Sequence, residues 1–308
     1  MSIRHKINTV LHTKRIFWIK LASSPVFRLF PDKLAISIIY HNVFGHRINL
    51  TNPQTYNEKL QWLKLYNRNP LYTKLVDKFA VKEWVAERIG KAHVIPTLGV
   101  WDSFDEIDFA SLPEQFVLKT THGGGNSGVV ICRDKSCFDY SSAKVKLTAS
   151  LKANTYIVSR EWPYKDVPRR IIAERYVSPD ARTNDLPDYK FFCFDGKVKA
   201  LFVGTERQKK GEDVKFDFFD ADFNPLPFRQ GHDHAKVLPA KPHDFDRMKE
   251  LAERLSAGFP HVRVDFYDVN DTIFFGELTF YHFGGMMPFE PDEWDYKFGE
   301  WLTLPERQ

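Results

Sequence analysis

The chain has 308 residues, 43 % of them apolar and 15 % aromatic, enough to fill the core of one large globular unit or of two to three subdomains. No apolar run is long enough to span a bilayer: Ile16 to Phe30 is interrupted by Lys20 and Arg28, with no signal-peptide layout around it. The net charge of +4 is unevenly placed, since residues 1–33 carry seven basic side chains against Asp32 and leave the rest close to −2, which excludes a nucleic-acid-binding balance spread over a domain.

Residues 3–21 predict a basic amphipathic helix, with Ile3, Ile7, Val10, Leu11, Phe17, Trp18 and Leu21 at helical spacing. Such a helix packs on its own domain or lies on an anionic membrane surface, and residues 1–24 carry that expected peripheral contact. Pro25 and Pro31 break the chain. Thr55 to Leu65 reads as a helix opened by a Thr55/Glu58 capping box. Leu71 to Ile89 reads as another, stopped by Gly90, with Lys74, Asp77, Lys78 and Lys82 on its polar face. Ile95 to Trp101 is a short strand, and Ser103 to Ala110 an acidic turn.

From Phe116 an apolar strand delivers Lys119 into the turn His122-Gly123-Gly124-Gly125-Asn126-Ser127-Gly128, and a second strand follows at Val129. Glycine lets backbone approach a phosphate, and successive N–H groups make an anion-binding concavity. The turn lacks the P-loop and dinucleotide-fingerprint orders, so a flexible hairpin tip is the alternative. Ser142 to Ala153 is helical, Ile171 to Val177 is a strand containing Glu174, and Ser178 to Pro187 is a polar loop suited to a subdomain boundary. Strands then dominate: Tyr189 to Phe194, a turn at Asp195-Gly196, Val198 to Val203, and Phe216 to Phe219. An amphipathic helix over Pro242 to Ser256 precedes strands at Val262 to Tyr267 and Thr272 to Leu278.

Strand alternation puts Arg263 and Asp265 on one face, and Glu277 and Thr279 on one face of the partner strand. Two converging carboxylates beside a phosphate loop suit Mg²⁺, and Arg263 suits a transferring phosphoryl group. An ordinary salt-bridged hairpin is the bland alternative. Glu174 either accepts hydrogen bonds from a nucleotide or faces water; Lys190 either points into the same cleft or snorkels to solvent. The His232-Asp233-His234 pair, with His243 nearby, reads as an exposed loop rather than a metal site. Cys132, Cys137 and Cys193 form neither a disulfide framework nor a zinc spacing, so a reducing cytoplasm is expected. No G-x-S-x-G elbow supports Ser127 as a nucleophile.

Taken in order, these elements resemble the ATP-grasp enzymes and, more narrowly, the TupA-like ATP-grasp family. The segments Asn57 to Leu60, Leu75 to Lys78, Gly99 to Asp105, Phe116 to His122 and Gly276 to Phe280 carry the narrower resemblance, which covers roughly residues 55–290. It implies an α+β fold in which two α+β subdomains clasp ATP after a helical N-terminal region. The implied boundaries are 1–54 for the basic arm, 55–110 for a helical domain, 111–178 for the lid and 179–308 for the catalytic subdomain. The implied nucleotide site is Lys78, Lys119, His122 and the loop Gly123, Gly124, Gly125, Asn126 and Ser127, then Glu174, Tyr176 and Val177 near the adenine, with Asp188 and Lys190. The implied Mg²⁺ ligands are Asp265, Glu277 and Thr279, where Thr279 replaces the usual third-ligand Asn. Arg263, Lys119 and Lys78 would be catalytic.

The resemblance further implies an enzyme of bacterial surface polysaccharide synthesis, and the cysteine usage and basic N-terminal helix add the expectation of a cytoplasmic protein at the inner face of the membrane. It would join the carboxylate of a uronic acid, on a saccharide or sugar nucleotide, to an amino acid or other amine through an acylphosphate. Trp162, Tyr164 and Tyr281 are candidates to stack on sugar rings. The rival readings are a sugar kinase on the same fold, a glycosyltransferase, for which no D-x-D motif is present, and a non-catalytic partner of a polysaccharide machine.

Overall fold

A computed structural model describes residues 26–125, 127–179, 186–206 and 214–307. The expected helix at 3–21, Asn126 and the middle of the 178–187 loop lie outside the described residues.

Four helices come first: α1 (Asp32–Phe44), α2 (Tyr56–Tyr66), α3 (Leu71–Val76) and α4 (Val81–Ile89). The capping box at α2 forms as expected, with Thr55 Oγ1 accepting from the Glu58 N–H and the Glu58 carboxylate accepting from the Thr55 N–H. The single helix expected over Leu71 to Ile89 is instead two. Asp77 Oδ1 accepts from the backbone N–H of Phe79 (2.8 Å) and Ala80 (3.2 Å), so the side chain competes with the helical ladder and opens it. The break frees the Lys78 N–H to donate to the Thr121 carbonyl (3.1 Å).

A four-stranded antiparallel sheet follows, in the order β1-β4-β2-β3: β1 (Thr97–Trp101), β2 (Phe116–Thr120), β3 (Val129–Cys132) and β4 (Ile171–Arg175). Between β3 and β4 lie α5 (Tyr140–Lys152) and the short α6 (Thr155–Ser159). Phe116 and Leu118 of β2, with Ile171 and Ala173 of β4, pack with Leu147 of α5 into a small core. The alternate residues Val117, Lys119, Ile172 and Glu174 therefore face the other way. The sheet starts at Thr97 rather than at residue 111, because β1 pairs with β4 across 70 residues of sequence that no local pattern connects.

The second sheet is five-stranded and antiparallel, in the order β7-β6-β5-β8-β9: β5 (Asp188–Phe194), β6 (Lys197–Thr205), β7 (Lys215–Asp220), β8 (His261–Val269) and β9 (Thr272–Thr279). Helix α7 (Phe245–Ser256) covers one face, against Phe191 and its neighbours. The other face is covered at one end by α2 and by α8 (Glu293–Trp301), through Phe192 against Phe298 and Tyr56 Oη against His261 Nε2 (2.8 Å). Helices α2 to α4 share this sheet's core, so the stretch expected as a helical domain at 55–110 is divided between the two sheets. The core is dense in phenylalanine, and each fully buried ring contributes roughly 2–3 kcal/mol by leaving water.

Candidate active site

Register places the charged residues of the second sheet in rows. Phe202 pairs with Lys190, Lys190 with Asp265, and Asp265 with Glu277, so one line crosses β6, β5, β8 and β9 on one face. The adjoining line is Ala200, Phe192, Arg263 and Thr279. The end of this face not covered by α2 and α8 is the floor of a cleft, and the Lys119 face of the four-stranded sheet is its roof.

A cavity of about 370 Å³ lies between them. Lys78, Lys119, Gly125, Glu174, Tyr176 and Val177 line it from the roof side, and Asp188, Lys190, Asp265 and Glu277 from the floor. Residues scattered over two hundred positions of sequence thus meet around one space. A second cavity, about 430 Å³, adjoins it; Gly125, Lys190 and Glu277 border both. Arg263, Thr279, Tyr164, Tyr281 and Glu161 line the second one only, with Ile36, Ile39 and Val43 of α1 as its outer wall.

The roof lysines arrive already engaged. Glu174 is buried and gives one oxygen to Lys82 Nζ (2.5 Å) and the other to Lys119 Nζ (2.6 Å). Burial alone would push its carboxyl up; the two ammoniums outweigh that and hold it at about 2. Lys78 Nζ donates to the Gly123 carbonyl, and burial lowers its pKa. Glu174 thus clamps two lysines while lining the same cavity. Lys82, seen in the sequence only as part of a polar helix face, belongs to the site.

Glycine is required in the loop for two distinct reasons. Gly125 adopts φ +60°, and a Cβ on Gly128 would lie 2.2 Å from Thr120 Oγ1. Gly124 and Gly125 reach the cavities. His122 does not: its ring is buried and its Nε2 faces the Ser150 carbonyl (3.2 Å), inside the lid core. Ser127 is exposed and donates to the Gly124 carbonyl (3.2 Å), and neither it nor Gly123 lines a cavity. Asn126 lies outside the described residues.

On the floor, Arg263 Nε and Nη2 donate to the two oxygens of Asp265 (2.7 and 2.6 Å), a bidentate pair. Arg263 Nη2 also reaches Glu277 Oε1 (3.2 Å), and Nη1 meets His282 Nδ1 (2.6 Å). Lys190 bridges Asp188 (2.8 Å) and Asp265, so it points into the cleft rather than out to solvent. Burial raises Asp265, against the pull of Arg263 and Lys190. Burial opposes ionisation at Glu277 too, but Lys78, Lys190 and Arg263 prevail and hold it at about 2.

The expected trio of metal ligands is therefore split. Glu277 borders both cavities, Asp265 only the first and Thr279 only the second. Both oxygens of Asp265 are held by cations, whereas Glu277 is partly open to the cleft. The donor chemistry fits a magnesium–nucleotide that takes one or two protein carboxylates and completes its shell with phosphate and water. Thr279 stands one row over on the same face, opposite Arg263, and lines the second cavity with Glu277. Among the described residues, no cluster of three or more His, Cys, Asp or Glu is arranged for a metal held by protein alone. His234 of the H-x-H pair meets Asp217 (3.1 Å), and His243 is exposed beside Asp244. Trp162 stacks on Tyr72 and donates to Tyr281 Oη (3.0 Å), which makes it a packing residue behind the second cavity.

Two antiparallel sheets closing on a lysine-lined cleft, with a glycine loop over carboxylates, define the ATP-grasp fold. The chain belongs to the TupA-like ATP-grasp family, whose model matches residues 58–303. Among solved structures it is similar to a D-alanine–D-alanine ligase from Bacillus anthracis: identity is 16 %, coverage 67 % of this chain and 56 % of that one, TM-score 0.36. The corresponding enzyme from Helicobacter pylori is 14 % identical over 82 % of this chain and 70 % of its own, TM-score 0.41. An ADP complex of N5-carboxyaminoimidazole ribonucleotide synthetase is 17 % identical over 80 % of this chain and 56 % of its own, TM-score 0.42. The chain thus spans little more than half the length of the first of these. No curated protein matches it. No helix among the described residues is long and apolar enough to cross a membrane.

Proposed function

We propose that the protein is an ATP-dependent carboxylate–amine ligase of bacterial capsule or exopolysaccharide synthesis, joining a uronic acid to an amino acid or other amine. The observation that carries this is the pair of adjoining cavities sharing Gly125, Lys190 and Glu277. One has the cations and glycine backbone that a triphosphate needs; the other is a separate space at its reactive end, faced by Arg263. In the reaction, a substrate carboxylate attacks the γ-phosphorus, the bond to the β-phosphate oxygen breaks, and ADP leaves. An amine then adds to the acylphosphate carbonyl and phosphate is expelled.

Lys78 and Lys119 would hold the phosphates, and Arg263 the charge that develops on the acyl oxygen. The glycine loop would exclude water from the acylphosphate. Glu277, with Asp265 once Lys190 yields it, would hold Mg²⁺, which when bound neutralises charge across the phosphates. Tyr164 and Tyr281 line the second cavity and would supply its aromatic contacts to a sugar. We place the enzyme in the cytoplasm, with residues 1–24 as its contact to the inner membrane face.

The test is Mg²⁺-dependent ATP turnover with a panel of uronic acids and amino acids, using Glu277→Ala as control. ADP and phosphate released only with both co-substrates, with the amide identified by mass spectrometry, supports the ligase. ADP with a stable phosphorylated sugar and no amine requirement refutes it in favour of a kinase.

A further inference from the structure

Glu161 is a feature of the second cavity that neither strand alternation nor the phosphate loop pointed to. It follows Arg160, which is held at φ +56° at the end of α6, and its carboxylate lines the cavity wall. One of its oxygens lies near the His282–Gly285 turn, 3.5 Å from where a Cβ on Gly284 would stand.

Among the described residues, no cation comes within 4.0 Å of Glu161. The nearest buried one is Lys64, and its three protons are already used: Nζ donates to Gln61 Oε1 (3.0 Å), the Ser159 carbonyl (2.7 Å) and the Gly284 carbonyl (2.6 Å). The other groups acting on Glu161 are the Ser159 side chain, Glu277 and Arg263. Glu161 is half-buried and has Lys64 as its nearby charge partner, but no cation is bonded to it directly, so its carboxylate is free to take a cationic group that enters the open space it faces. Ile36, Ile39, Val158, Phe202, Phe216 and Met286 give the cavity an apolar side, while Thr155, Ser159, Thr279 and His282 add polar groups elsewhere on its wall.

We infer that Glu161 receives the ammonium group of the amine co-substrate, and that this co-substrate is a primary amine with an apolar flank, of amino-acid to amino-sugar size. The inference rests on the ligase reading above. A cavity of about 430 Å³ is far larger than free ammonia requires. Arg263 and Lys190, beside Glu277, bring cations to its lining and Glu161 an anion, so a carboxylate and an amine each have an oppositely charged group to meet there.

Glu161 takes one proton from R–NH₃⁺, giving R–NH₂ and a neutral carboxyl. The nitrogen lone pair forms the C–N bond at the acylphosphate carbonyl, the C–O bond to phosphate breaks, and phosphate leaves. The nitrogen then loses a second of its three original protons to the departing phosphate, and the carboxyl returns its own to solvent. Burial pushes the Glu161 carboxyl up, against the pull of Lys64, which brings it closer to the range of a useful base.

The experiment compares wild type with Glu161→Gln in two reactions of ATP and glucuronate or galacturonate. One uses hydroxylamine, which is uncharged at neutral pH and traps the acylphosphate as a hydroxamate. The other uses L-alanine, L-leucine or glucosamine. The expected result is that the ratio of amide to hydroxamate falls at least about tenfold in the variant, as for the loss of one partner of a buried ion pair. An unchanged ratio, or wild type that makes hydroxamate but no amide with these amines, overturns the assignment of Glu161. Wild type that makes no hydroxamate overturns the ligase reading, and the assignment with it.

Discussion

Replacing Glu174 by Gln keeps the shape of the clamp and removes its charge. The side chain is 7 % exposed, and each oxygen holds one lysine, Lys82 at 2.5 Å and Lys119 at 2.6 Å. Although burial opposes ionisation, the two lysines keep the carboxyl at about 2 against an ordinary 4.5. That gap corresponds to roughly 3 kcal/mol of folding stability at neutral pH. The sign follows from proton counts: between the two values the unfolded chain binds a proton that the folded one does not, so the stabilisation is complete above the unfolded value and fades as pH falls through the folded one. By that relation about 1.4 kcal/mol remains near pH 3. Urea titrations of wild type and Glu174→Gln at about pH 7 and about pH 3 measure it. The variant should lose roughly 3 kcal/mol at the higher pH and less than half of that at the lower. An equal loss at both would refute the ion-pair account and leave only a packing effect.

Lys119→Met should weaken ADP binding at least about tenfold by calorimetry, because a lysine supplied by the roof is lost. Asp77→Ala removes the acceptor for the Phe79 and Ala80 N–H groups; it should cost about 1 kcal/mol and raise the KM for ATP, since Lys78 loses its turn. Phe192→Ala, at a fully buried position between Phe298 and His282, should cost about 3–5 kcal/mol in urea melts. Gly299→Ala would set a Cβ 2.1 Å from the Gln54 carbonyl oxygen and push α8 off α2, lowering stability by about 1–3 kcal/mol.

Much of the floor of the cleft was legible from alternation alone. Arg263 with Asp265, and Glu277 with Thr279, share faces because side chains repeat every two residues, and the hairpin sets them opposite each other. Lys119 was legible as one cation at the end of an apolar strand. Other features depend on partners far along the chain. Strand β1 has its place only through Ile171 to Glu174. Helix α3 ends at Asp77 because of where its carboxylate turns, while Lys78 is directed by a carbonyl in the glycine loop. Lys64, inside the helix expected over Thr55 to Leu65, carries no sequence signal of its burial, yet it is fully buried with three acceptors. His122 sits beside residues that line the nucleotide cavity, but the chain turns its side chain to the Ser150 carbonyl.

The rows across the second sheet limit how this protein can change in length. Lys190, Asp265 and Glu277 stay in one line only while β5, β8 and β9 keep their register. Inserting or deleting one residue at the Asn270-Asp271 tip, if taken up by sliding β9, would carry Glu277 to the face covered by α7 and bring Gly276 or Leu278 into its place. A two-residue slide could keep the face but exchange Glu277 for Thr279, whereas Phe275, beyond the bulge at Asp265/Phe266, already faces the other way opposite Phe266. Length variation among relatives should therefore concentrate in the segments between sheets, and the tip of this hairpin should keep its residue count even where its residue types drift.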